Sequence, residues 1–123
     1  MQQSRWAAGQ QGAALYLTGH SLGGGLAALI AAATGEAAAT ISSPAVAHMP
    51  GVLASYRRNG PRIVNLEVDG DPINATLVLG NRLCTTRTIP TSRMAGFGHG
   101  IDGTVTDLSP GGVSSSVGAQ IPL

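Results

Sequence analysis

Residues 13–29 read AALYLTGHSLGGGLAAL, and the rest of the chain is organised around them. The apolar run Ala13 to Leu17 predicts a buried strand. Leu22, Leu26, Leu29, Ile30 and Ala33 then recur at helical spacing until Thr34-Gly35 stops the pattern. Between strand and helix there is room only for a sharp turn, Gly19-His20-Ser21-Leu22-Gly23. Such a turn holds its central serine in a strained backbone conformation that lifts the hydroxyl above the end of the sheet. The first N–H groups of a helix have no acceptor within it. Here they face the space beside the hydroxyl, where the Leu22 N–H is placed to stabilise a developing oxyanion. Gly19 and Gly23 are expected to be glycine because side chains there would collide as strand and helix fold back on each other.

The bare G-x-S-x-G pattern is weak evidence in a chain with 18 glycines. Its strand-turn-helix context gives it weight. Downstream, Ala38 to Ser42 predicts a second strand that ends at Ser43-Pro44, and Pro50 opens a helix over Gly51 to Arg58. Arg62 to Val68 is the clearest strand, running into the turn Asp69-Gly70-Asp71-Pro72. Thr76 to Leu79 and Thr85 to Ile89 are expected to pair as a hairpin around Gly80-Asn81, and Ile101 to Leu108 to form a last helix. Met1 to Gly12 reads as the end of a helix or a solvated lead-in, with Trp6 packing on the next element of the chain. Strand-helix-strand alternation argues for an α/β fold, a parallel sheet with flanking helices.

Composition narrows the function classes. The 123 residues carry a net charge of +1, which gives no electrostatic case for nucleic acid or an acidic membrane. All the basic residues are arginine. The single cysteine, Cys84, excludes an internal disulfide and is expected to be a small buried hydrophobe. Three scattered histidines and one cysteine give no metal-ligand spacing, and no cofactor is implied. No apolar run is long enough to span a membrane, and the N-terminus lacks signal-peptide features; the compartment is left undecided, with the cytoplasm as the default.

The segment TGHSLGGGLAALIAAATG, residues 18–35, resembles the nucleophile segment of the lipase class 3 (fungal-type lipase) family of α/β-hydrolases. Ser43-Pro44, VNLEVDGDPI (residues 64–73) and HGIDG (residues 99–103) extend the likeness to roughly residues 15–108. What the resemblance implies is a serine hydrolase of lipase or esterase type. It would cleave an acylglycerol, phospholipid or simpler ester through a Ser-Asp-His triad. Ser21 matches the nucleophile, and the chain order of the fold then asks for an acid and a histidine after it. His99, in the glycine loop Gly96 to Gly100, fits that order; His48 precedes the acid and does not. Asp69 and Asp71 both follow the third strand, and the family's Asp-Pro pattern favours Asp71. Asp102 and Asp107 come after the histidine and fit neither position, while His20 is expected to pack beside the site.

The elbow strand of this fold is central, yet here it comes almost first. The resemblance therefore implies a partial α/β-hydrolase fold, its N-terminal strands absent together with the loop that supplies a second oxyanion N–H. Residues 1–108 would form the C-terminal portion of the domain and residues 109–123 a Gly/Ser-rich tail. The alternative is a catalytically impaired remnant that self-associates through the exposed edge of the first strand.

Overall fold

A computed structural model describes residues 1–12, 14–91 and 99–113. The elements in order are α1 (Gln2–Gln10), β1 (Tyr16–His20), α2 (Leu22–Thr34), β2 (Ala37–Ile41), α3 (Val52–Asn59), β3 (Ile63–Val68), a 3₁₀ helix (Pro72–Val78), β4 (Thr85–Ile89) and α4 (Ile101–Leu108). The four strands form one parallel sheet in the order β1-β2-β3-β4. This is the α/β architecture that the alternation of strand and helix patterns predicts, a parallel sheet flanked by helices and consistent with a partial hydrolase-like domain. Because all strands run the same way, the turns after β1, β2 and β3 gather at one end of the sheet, where open α/β sheets bind their ligands.

Register assigns the faces. Leu17, Ala38 and Ile63 lie in line across β1 to β3 and point to the same side. That side carries the core, in which Ala28, Ala31 and Ala32 of α2 pack with Ala38, Val46, Ile63 and Leu83. Alanines let the helix sit close to the sheet, so a core poor in aromatics still fills. Gly24 takes part in the same close approach, since a Cβ there would stand 2.8 Å from the Ser43 Cβ. On the other face Tyr16, Ala37, Ala39 and Val64 line a cleft at the amino end of the strands, away from the turns. Among the described residues β1 has a strand on one side only, and Tyr16 is 49% exposed.

Five expectations need correction. The first strand is not the buried run expected at Ala13 to Leu17: it spans Tyr16–His20 at the edge of the described sheet, and none of its residues is buried. No strand forms at Thr76 to Leu79, so there is no hairpin: β4 instead pairs parallel with β3, Val64 opposite Thr85 and Val68 opposite Ile89. The cause is local, because Pro72 sits at the start of the 3₁₀ helix and Asp71 caps it by accepting the Ile73 N–H at 2.9 Å. Gly23 has no steric reason to be glycine among the described residues, since a Cβ there meets nothing within 4 Å. Trp6 is 69% exposed on a helix with no buried residue, held to the body by Arg5 bonding Glu36 at 2.8 Å. Cys84 is exposed, not buried, at a backbone φ of 64°.

Partial burial pushes the Cys84 thiol up, but hydrogen bonds from the Ile63 N–H, the Tyr56 hydroxyl and Thr85 outweigh it and hold the thiol below its ordinary value. The same bond raises Tyr56. A lowered thiol holds more thiolate near neutral pH, and the thiolate is the nucleophile. Tyr56→Phe is therefore expected to slow alkylation of Cys84 by iodoacetamide near neutral pH; an unchanged rate would contradict the assignment.

The loop stretch 92–98, including Gly96 to Gly98, and the tail from residue 114 lie outside the described residues. Among those described, no helix is long and apolar enough to cross a membrane.

Candidate active site

Ser21 sits between β1 and α2 with φ 58° and ψ −126°. Only strain imposed by its surroundings keeps a non-glycine residue there. Two anchors supply it: the Ser21 N–H donates to the Ile41 carbonyl at the end of β2 (2.9 Å), and the Ser21 carbonyl accepts the Gly25 N–H of α2 (3.1 Å). The tightness of the bend rests on Gly19, where a Cβ would lie 2.2 Å from the Gly23 carbonyl oxygen. That obstacle is backbone and cannot swing aside. Gly19→Ala is expected to cost about 3 kcal/mol or more, appearing as loss of soluble protein or a large fall in Tm. A variant that melts within a degree or two of the parent would contradict this packing.

Asp71 lies three residues beyond β3, and its side chain is fully buried. His99 stands immediately before Gly100, the N-cap of α4, with its side chain 36% exposed. The three side chains converge. His99 Nδ1 lies 2.9 and 3.0 Å from the two Asp71 carboxylate oxygens, and His99 Nε2 lies 2.6 Å from Ser21 Oγ. A carboxylate accepts, so Nδ1 carries the proton and donates it to Asp71. The lone pair of Nε2 is then free to accept the Ser21 hydroxyl proton. An imidazole held at both nitrogens in this way can take a proton from the serine and return it to another oxygen.

The remaining candidates fall elsewhere. Asp69 is exposed, as is Asp102. Asp107 is buried and accepts from the Thr91 hydroxyl at 2.6 Å. His48 is exposed and packs against Gly80. His20 is beside the site: its Nε2–H donates to the His99 carbonyl at 2.6 Å, and the two rings lie 4.9 Å apart at 38°. Leu22 opens α2, so its N–H belongs to the helical turn without intrahelical acceptors. Among the described residues no group of His, Cys, Asp and Glu could hold a metal ion.

Sequence reasoning missed a buried polar network under this end of the sheet. The Thr40 hydroxyl donates to Asn65 Oδ1 (2.7 Å), and Asn65 Nδ2 donates to the Leu83 and Thr85 carbonyls (2.6 and 3.1 Å). Arg82 is 7% exposed and donates through Nε to the Ser43 carbonyl and through Nη2 to Asn74 Oδ1. The one available signal was an asparagine inside the apolar strand VNLEV, residues 64–68.

The Tle-like phospholipase domain, a phospholipase-like family, has a family model that matches residues 3–112. No curated protein matches the chain.

Proposed function

As the chain belongs to the Tle-like phospholipase domain family, for which a lipid-ester hydrolase-like function is supported broadly, we propose that it is a serine esterase acting on a phospholipid or a related lipid ester. The observation that carries this reading is the single imidazole spanning Ser21 and Asp71 at 2.6 and 2.9 Å. The family is not specifically that of the class 3 lipases; the likeness to them in the segment around Ser21 supports the assignment of Ser21 as nucleophile.

In the proposed reaction Ser21 Oγ attacks the ester carbonyl carbon while its proton passes to His99 Nε2. The carbonyl oxygen becomes an oxyanion facing the Leu22 N–H, and such a donor is worth roughly 3 kcal/mol. Collapse breaks the carbon–oxygen bond, and the leaving alcohol takes the proton from His99. Water then attacks the acyl-serine with His99 again as base, releasing the fatty acid and restoring Ser21. Throughout, Asp71 holds the imidazole in the Nδ1–H tautomer and stabilises the imidazolium. The lipid reading is supported by Leu22 and Leu26, 79% and 57% exposed on successive turns of α2 beside Ser21. An apolar wall there suits an acyl chain.

The test is release of fatty acid from phospholipid vesicles and of nitrophenol from a short-chain nitrophenyl ester. Turnover of both is expected, and folded protein inert towards both would contradict the proposal. A second reading, self-association through the open edge of β1, rests on the exposure of Tyr16. A monomeric sedimentation profile at micromolar concentration would sink it.

A further inference from the structure

A buried arginine is an expensive residue. Desolvating a guanidinium costs several kcal/mol unless its donors are well matched. Arg82, with its side chain only 2% exposed, is not fully matched: Nη1 makes no hydrogen bond among the described residues and has only Glu67 Oε1 for company, at 3.5 Å. The other two nitrogens show what is gained. Nε donates to the Ser43 carbonyl at 2.8 Å, and Ser43 is the residue against which Gly24 of α2 packs. Nη2 donates to Asn74 Oδ1 at 3.0 Å. Asn74 in turn closes the turn that carries Asp71, its N–H donating to the Asp71 carbonyl (3.0 Å) and its Nδ2 to the Val68 carbonyl at the end of β3 (3.0 Å).

One planar group thus ties the loop lying on the first turns of α2 to the turn that bears the acid. We infer that Arg82 is a positioning residue, acting through Asn74 to fix the distance between Asp71 and the Ser21 bend. The inference rests on the triad reading above. Its physical basis is that neither Ser21 nor Asp71 is held by the other: they sit on separate strands' ends, and a small drift of the Asp71 turn would swing His99 away from Ser21. Misplacement by about an ångström can cost a hundredfold in rate. A flexible lysine could not reproduce two bonds from one rigid fork.

Steady-state kinetics of the full chain on a nitrophenyl ester test this. Asn74→Ala and Arg82→Met are each expected to lower kcat by about tenfold or more, with KM changed by less than about twofold. If the two residues act in series, the double variant loses no more than the worse single variant; independent effects would multiply. Asn74→Asp and Asn74→Ala both lose the bond to Val68, but only the aspartate keeps an acceptor for Nη2, so it is expected to be the more active. That pair decides the matter even if Arg82→Met does not fold. Multiplying losses, equal activity of the two Asn74 variants, or a kcat untouched by Asn74→Ala would overturn the inference while Ser21-dependent turnover remained. Turnover that survives Ser21→Ala would instead remove the triad reading, and this inference with it.

Discussion

Replacing Ser21 by alanine is expected to reduce ester turnover on the order of 10⁴-fold or more while leaving the protein folded. In the proposed mechanism the loss is large because this hydroxyl forms the covalent intermediate, and what survives comes from binding and oxyanion contacts. The fold should tolerate the change. The Ser21 side chain makes no capping bond to α2, and the positive φ is held by the backbone bonds to Ile41 and Gly25, which alanine keeps. His99 Nε2 loses its partner but is 36% exposed as a side chain and can be solvated. A Tm within a few degrees of the parent, combined with lost turnover, is the expected pair of results. Retained turnover would mean that another residue performs the chemistry.

The second large effect is expected at Asp71. Asp71→Asn keeps an oxygen to accept the Ile73 N–H, so the 3₁₀ helix stays capped. It removes the charge that in the proposed mechanism stabilises the imidazolium, and presents an amide that no longer selects the Nδ1–H tautomer. A loss of about 10⁴-fold in kcat is the corresponding magnitude for this role. Asp69→Asn is the control. Asp69 is exposed two residues earlier, and its neutralisation is expected to change kcat by less than about twofold. The reverse pattern, a silent Asp71→Asn with a crippling Asp69→Asn, would assign the acid to the wrong carboxylate.

How much of this was legible in the sequence depends on the range of the interaction. The Ser21 bend was readable because strand, glycine and helix signals all lie within residues 13–35 and each is local. Gly19 was readable for the same reason, but Gly23 was not: in the chain it mirrors Gly19, whereas in space only Gly19 faces backbone. Asp71 could be narrowed to one of two aspartates by chain order and position after the third strand, and the choice between them depended on a family pattern. Its capping of the 3₁₀ helix was not foreseen, although Asp71-Pro72 is an N-cap followed by proline, and reading it so would have forestalled the expected hairpin. Cys84 was misjudged because cysteine composition says nothing of a residue at positive φ that is turned towards solvent. Arg82 was invisible, since its partners Ser43, Asn74 and Glu67 lie 39, 8 and 15 positions away and no periodicity links them.

Everything proposed for this site depends on the Ser21 hydroxyl being activated by an imidazole that Asp71 holds. A fluorophosphonate probes that activation itself, because it reacts covalently with a serine whose proton is being drawn off and leaves unactivated serines alone. Peptide mass mapping of the labelled, folded protein should place one phosphonate on Ser21, with labelling lost in His99→Ala. Folded protein that takes no label, or carries it on a serine other than Ser21, would rule out this mechanism.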